Sequence, residues 1–530
     1  MIVDYGEPTA PKTFKSELCI IGAGPAGITM ALELAKAGRP SLLLESGGYT
    51  PEVATQSLYQ GENIGRSYFP LDGTRLRALG GSSGHWSGWC GTLNENDFLE
   101  RPWIPYSGWP ISKSTLDPYY ARAQEYLELG PYRYDAGFWS KEYSDFPDFE
   151  PDNLLARFWQ FSAPPVRFAQ KYRAALEKSE LITLVLHCNV LQIEINENGD
   201  YARSIEIGSL SGRSGSVVAS NYIVACGGIE NARLLLASNK GNPAGVGNDN
   251  GLVGKFFMEH PEVDCGRIYS FDASQMKALK RLETRGGTEI GMAFCSSPKQ
   301  QQKMKIGNGA GFIAAPRVSF EGNGWAAFMS IRKNLSQGRI PENFYAKLRD
   351  FMIDFDTFAG MFGLWLRKIS YSTQIIQKGS IRVISMCEQV PNPDSRVVLS
   401  REKDKFGNPL ANLDWRLSDL DRRTVRQTMV LIAAEMNRLG MGRLEIDKWL
   451  RNENGTNWSP DVRGGHHHMG TTRMASSPNW GVVNEDCRVF EISNLFIAGS
   501  SVFPTGGYVN PTLTILALAL RLTDHLMSSS

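Results

Sequence analysis

The sequence has no run of 18 apolar residues, no block of five like charges, no C-x-x-C and no internal repeat. Each absence removes a class of function. Without a long apolar run, nothing reads as a membrane-spanning helix. With 56 basic against 55 acidic residues and a net charge of +1, nothing calls for nucleic acid or an anionic membrane as partner. The eight cysteines (Cys19, Cys90, Cys188, Cys226, Cys265, Cys295, Cys387, Cys487) are scattered, without the spacing of a disulfide framework. They read as small buried hydrophobes in a reducing compartment, with Cys19 and Cys226 placed in core strands. Residues 1–17 lack the basic region and apolar stretch of a secretory signal, so cytoplasmic residence is the expectation. A small neutral substrate suits this charge balance.

At 530 residues the chain exceeds the size at which one core stops growing, which predicts two interleaved domains. Residues 15–46 read as strand, glycine turn, helix over 27–37 and second strand over 41–45, a βαβ unit. Residues 61–109, rich in Gly, Ser and Trp, read as a long ordered loop. Helices are expected over 111–129 and 168–179, and strands over 181–187 and 190–195. A further strand over 221–225 runs into a glycine turn, with a helix over 231–237. From about 256 to 462 the character changes. Strands are expected there over 311–318, 325–331, 379–389 and 396–400, and a helix over 419–439, the natural place for substrate contacts. The aromatic-rich stretch 351–376 reads as a buried helix or as a lid or docking surface.

Three features carry chemistry. In Gly22-x-Gly24-x-x-Gly27 the first glycine makes the tight turn, the second lets backbone approach a pyrophosphate, and the third lets helix pack on strand. The helix N-terminus then offers unpaired N–H groups to the phosphates. Glu45 ends the second strand 18 residues after Gly27, where a carboxylate accepts ribose hydroxyls. This is a dinucleotide site, and the unit alone serves NAD and FAD equally. The triplet His466-His467-His468 invites a metal reading. On a strand, however, neighbouring side chains point to opposite faces, so no metal site is expected. Ser82, Ser83, Ser500 and Ser501 lack a nucleophile elbow, which excludes a serine hydrolase.

Five separated motifs stand in one order. They are Arg77-Ala78-Leu79-Gly80-Gly81-Ser82-Ser83, the Gly227-Gly228 turn, His467-x-x-Gly470-Thr471-x-x-Met474, Gly499-Ser500-Ser501-Val502-Phe503-Pro504 and Asn510-Pro511-Thr512. In this the chain resembles the glucose-methanol-choline (GMC) oxidoreductases from about residue 15 to 526, with the middle third matching least. The resemblance implies an α/β fold: a discontinuous Rossmann-like FAD-binding domain (1–255 and 463–530, with part of 61–180 covering the flavin). It also implies an α+β substrate-binding domain (256–462) on a mostly antiparallel sheet. The implied cofactor is FAD. Gly22, Gly24, Pro25, Ala26, Gly27, Glu45 and Ser46 would hold it from the first turn and strand. Arg77, Gly80, Gly81, Ser82, His85, Trp86 and Ser87 would do so from the Gly-Gly loop, with Val190 and Ala225 from the sheet. Gly499, Ser500, Asn510, Pro511 and Thr512 would close the C-terminal side. His85 occupies a slot that in some members bonds covalently to the flavin; a histidine hydrogen-bonded near the ring is the other reading.

The resemblance makes His467 the general base and Asn510, 43 residues later, its hydrogen-bonding partner, while His260 matches a segment read as structural. A neutral imidazole, with an unperturbed pKa of ~6.5, suits removal of a hydroxyl proton as hydride leaves to flavin N5. An amide donor suits an oxygen becoming alkoxide-like. Gly-Gly-Ser-Ser-x-His-Trp-Ser-Gly with Asn at the second catalytic position is similar to sugar-oxidising branches, including pyranose oxidases, bacterial glycoside 3-oxidases and aminoglycoside dehydrogenases. The expected substrate is thus a sugar or glycoside hydroxyl, with another alcohol as the alternative. Oxygen, a quinone or a redox protein would be the electron acceptor. Trp86, Trp89, Trp103 and Trp109 either stack on a sugar ring or pack the loop. A non-redox hydroxynitrile lyase and an NAD-dependent dehydrogenase remain as other classes.

Overall fold

Residues 18–21 are apolar at every position, the pattern of a strand covered on both faces, and all four are buried at the end of the strand Thr13–Ile21. In the computed structural model, which describes residues 1–142, 146–270, 282–314, 344, 380–453 and 455–528, this strand sits inside an eight-stranded sheet. It pairs in parallel with Ser41–Leu44 on one side and Ser214–Val224 on the other. Ser41–Leu44 continues to Ile182–Leu186 and then Ile2–Asp4, while Leu495–Ile497 lies parallel to the far end of Ser214–Val224. Ala202–Gly208 and Asn189–Ile195 add an antiparallel edge. The expected βαβ unit is present, with helix Pro25–Lys36 as the crossover and a first strand that begins five residues earlier than the apolar run suggests.

The second sheet is antiparallel throughout its seven-strand path. Its order is Gly442–Ile446, Glu262–Ser270, Ser380–Met386, Ala310–Ala314, Glu289–Ser296, Leu154–Phe161, Trp89–Cys90. Helix Asp419–Arg438 covers it. A capping box between Ser418 and Asp421 fixes the helix start, and Val425, Met429, Ile432 and Met436, at helical spacing, are buried. They join Val263, Ile268, Phe294 and Val383 in a second core. Two strands of this sheet, Trp89–Cys90 and Leu154–Phe161, come from the N-terminal half of the chain, the first from within the expected loop 61–109. The strand expected over 396–400 is Arg396–Lys403, the helix over 419–439 is Asp419–Arg438, and the strand over 379–389 is Ser380–Met386. Of 311–318, residues 311–314 belong to Ala310–Ala314 and the rest lie outside the described residues, as do 325–331 and 351–376.

The C-terminal helix Thr512–Ser528 ties the two ends of the chain together. It packs on Pro25–Lys36 and Lys113–Tyr126. Tyr120 and Thr514 share a hydrogen bond of 2.9 Å, and Arg122 bridges Asp524 at 2.6 Å and Glu33 at 2.5 Å. The consequence is positional: Asn510, two residues ahead of this helix, reaches the same cavity as the first glycine turn. No helix among the described residues is long and apolar enough to cross a membrane.

Candidate active site

A cavity of about 840 Å³ opens between the two sheets, and residues from each of the motifs line it. At one end lie Gly22, Gly24, Pro25 and Ala26, at the N-terminus of helix Pro25–Lys36. Gly22 has φ 108° and donates its N–H to Leu44 O at 2.8 Å, and a Cβ there would press on the Ala225 carbonyl. Gly27 does not face the cavity; it lies beneath, where a Cβ would run into the Gly22 carbonyl oxygen. Gly80, at φ 83°, also stands behind the wall and staples the second loop to the first by donating to Ala23 O at 2.8 Å.

Glu45 and Ser46 face the cavity beside this turn. The buried Glu45 carboxylate accepts from Ala23 N at 3.1 Å and Gly47 N at 2.9 Å. Burial pushes its carboxyl up, against these two bonds and the charge of Arg77. Arg77 reaches Glu230 and Asn189 only at 3.4 Å each, and its buried Nε has no protein partner. Burial pushes Glu230 up as well, but Arg233, Arg75 and Arg77 overcome it and hold the carboxyl down to about 2. Gly81, Ser82, His85, Trp86, Ser87, Val190, Ala225, Gly499, Ser500, Pro511 and Thr512 complete the wall. A glycine cradle, a helix N-terminus, a buried carboxylate at the ribose position and an arginine with an unmet donor fit a diphosphate-linked dinucleotide such as FAD.

The other end is built from side chains. His467 Nε2 and Asn510 Nδ2 are 3.0 Å apart, and both residues line the cavity. His467 Nδ1 lies 2.8 Å from His260 Nδ1, and His260 Nε2 lies 3.3 Å from Gly506 O. Trp159 donates its indole N–H to Asn510 Oδ1 at 3.2 Å. Burial, with the neighbouring rings of His260, His468 and His466, holds His467 well below the ordinary imidazole value, so it is neutral at neutral pH. Below the histidines a single carboxylate organises the backbone. Glu259, fully buried, accepts N–H bonds from His467 at 2.9 Å and from His260 and Gly465 at 3.0 Å, and an O–H from Tyr68. Burial pushes its carboxyl up to about 7, and the four donors oppose that rise.

The histidine triplet is not a strand, which corrects the physical reason given against a metal site. His466 has φ 62°, and the three rings separate by partner instead: His466 against Phe69, His467 on His260 and Asn510, His468 on Tyr68. Cys226 is likewise not in a strand. It precedes the helix Gly227–Ala237, half-buried on the cavity wall. Trp86 and Trp89 face the cavity. Trp103 and Trp109 instead pack the loop, donating to Ile306 O and Thr505 Oγ1 at 2.9 Å each. Sequence reasoning missed Glu259, Tyr68, Trp159 and the contact of His260 with His467. Only the run Met258-Glu259-His260-Pro261 carried any signal of them.

The fold and this site define an FAD-dependent oxidoreductase, and residues 17–246 match the family model described as FAD dependent oxidoreductase. Residues 391–519 match the model described as GMC oxidoreductase, and the chain is an FAD-dependent oxidoreductase of the GMC type. It is 23% identical to the fructose dehydrogenase large subunit of Gluconobacter japonicus, covering 98% of each chain. It is 24% identical to the 2-methyl-1,2-propanediol dehydrogenase of Mycolicibacterium austroafricanum, covering 97% of this chain and 95% of that one. Its fold is similar to that of a formate oxidase, with a TM-score of 0.57 at 16% identity over 98% of this chain and 99% of the other.

Proposed function

We propose that the protein oxidises a hydroxyl of a sugar or glycoside to a carbonyl, with His467 as general base and Asn510 as donor to the substrate oxygen. The observation that carries this is the pairing of His467 Nε2 with Asn510 Nδ2 at 3.0 Å on the cavity wall, an acceptor and a donor set side by side for one hydroxyl. Bound FAD supplies the two-electron acceptor for the hydrogen leaving the alcohol carbon. The protein's own residues do the rest: His467 takes the hydroxyl proton, and Asn510 stabilises the charge that builds on oxygen.

The sugar reading draws on the cavity lining, where Trp89 and Phe312 offer aromatic faces and Glu262 a carboxylate. It also draws on similarity to a chain named for fructose oxidation. A non-sugar alcohol is the second reading, supported by the equally long match to a propanediol dehydrogenase. Anaerobic titration of the yellow protein with free sugars, glycosides and simple diols separates the two. Bleaching of the flavin by a sugar but not by a diol is expected, the reverse selects the second reading, and the speed of recolouring in air distinguishes oxygen from other acceptors. His85 lines the cavity and is exposed, and we read FAD as held without a bond to it, so acid precipitation should leave a yellow supernatant. A yellow pellet would place the bond at His85.

A further inference from the structure

Four hydrogen bonds run through the catalytic end in one direction, and two groups with fixed chemistry anchor them. The Trp159 indole has a donor and no acceptor, so the atom of Asn510 that faces it at 3.2 Å is the amide oxygen. That turns the amide nitrogen toward His467 and makes Nε2, at 3.0 Å, an acceptor without a proton. At the far end, the Gly506 carbonyl can only accept, so His260 Nε2, at 3.3 Å, carries a hydrogen and its Nδ1 is a lone pair. The contact of 2.8 Å between the two Nδ1 atoms is then a bond in which His467 donates and His260 accepts. Both ends assign the same tautomer to His467, each without reference to the other.

We infer that His260 is a positioning residue that fixes His467 in its Nδ1–H tautomer, so that the one lone pair of Nε2, which accepts from Asn510 here, receives the substrate hydroxyl when that hydroxyl takes the place of the Asn510 N–H. This rests on the proposed role of His467 as base. In the other tautomer Nε2–H would meet the Asn510 N–H and two bare Nδ1 lone pairs would face each other, so both contacts would be lost. When the substrate O–H bond breaks and an N–H bond forms at Nε2, the imidazolium already donates from Nδ1 to a waiting lone pair.

His260 is built to remain that lone pair. It is fully buried, and burial holds it down to about 4 while the carbonyls of Gly506 and Gly507 oppose the fall. It is therefore neutral near neutral pH. The arrangement has the geometry of a base oriented by a third group, with an uncharged acceptor where a carboxylate often stands. Other titratable groups approach His467 elsewhere: His466 and His468, both held toward their neutral forms by burial, flank it, Glu259 holds its main-chain N–H, and Glu262 lines the cavity near Gly465.

The test compares holoenzyme labelled with ¹⁵N-histidine against His260→Leu and His260→Asn. Leucine removes the acceptor, while asparagine returns an oxygen near the position of Nδ1. In the wild type, imidazole ¹⁵N–¹H correlations, assigned by loss of the signal in His467→Gln, should place the proton of His467 on Nδ1. The limiting rate of flavin reduction by substrate should fall by about 10²-fold in His260→Leu with FAD bound, and His260→Asn should restore most of it. A proton on Nε2 in the wild type overturns the inference, as does an undiminished rate in the leucine variant or an asparagine variant no faster than leucine. If His260→Leu does not fold, the wild-type spectrum still decides. Failure of the underlying reading has a different signature, a His467→Ala enzyme that reduces its flavin at the normal rate.

Discussion

The two ends of the cavity are made of different material. The dinucleotide end is backbone and glycine: Gly22, Gly24 and Gly27 fall within six residues, and Glu45 comes directly after the next strand, Ser41–Leu44. The other end is side chains from four distant places, Trp159, His260, His467 and Asn510, drawn from one strand of the second sheet, from loop segments and from the approach to the last helix. The first is a local solution to a phosphate-binding problem and reappears wherever a strand, turn and helix follow one another. The second exists only when the whole chain has folded. Damage to the first should therefore remove the cofactor, and damage to the second should spare the cofactor and remove the rate.

The largest effect expected is from Gly27→Val. Its side chain would collide with the Gly22 carbonyl, and Ile20 lies 3.2 Å from the Cβ position. Helix Pro25–Lys36 would be lifted off the strand, so the variant should purify without FAD, if it folds at all. A yellow Gly27→Val protein would break the comparison at its first end. His467→Ala comes next, with flavin reduction slowed by about 10²–10⁴-fold while the flavin spectrum stays intact. Asn510→Ala should cost about 10²-fold, the scale for losing one donor to a developing oxyanion. It also leaves the Trp159 indole N–H without its acceptor, so a modest loss of melting temperature should accompany the loss of rate.

The same contrast explains what was legible in the sequence. The first turn, Glu45, the Gly-Gly loop and the pair His467 and Asn510 were each recognisable within a motif of a few residues, and all of these face or brace the one cavity. Trp159 was not, because Leu154–Phe161 is buried on both faces in part and shows no clean alternation to mark it as a strand. Glu259 sat in plain view beside His260. An acidic residue in a sequence, however, does not announce that three backbone N–H groups from separated segments will converge on it. The contact of His260 with His467 was not legible for a similar reason, since it depends on a ring 207 residues away.

The smallest predicted effect concerns pH, and it sharpens the comparison most. An exposed imidazole titrates at its ordinary 6.5, so a base of that kind would lose rate tenfold for each pH unit below it. His467 is held well below that value by burial and by three neighbouring imidazoles, so its neutral form persists as pH falls through 6.5. The rate of flavin reduction at saturating substrate should therefore keep its plateau across that point and fall only in more acid solution. Glu259 lies on the other side of the balance. Its carboxyl is raised to about 7 from 4.5, so it takes up a proton as pH drops through neutrality and gives up part of its grip on the three N–H groups. That event touches the backbone that carries the base, not the base itself. It should appear as a shallow step near 7 that disappears in Glu259→Gln, while the steep limb stays where His467 puts it. A steep limb centred at 6.5 or above in both proteins would mean that the base titrates as an exposed histidine and that the side-chain end of the cavity is not the sealed environment its hydrogen bonds describe.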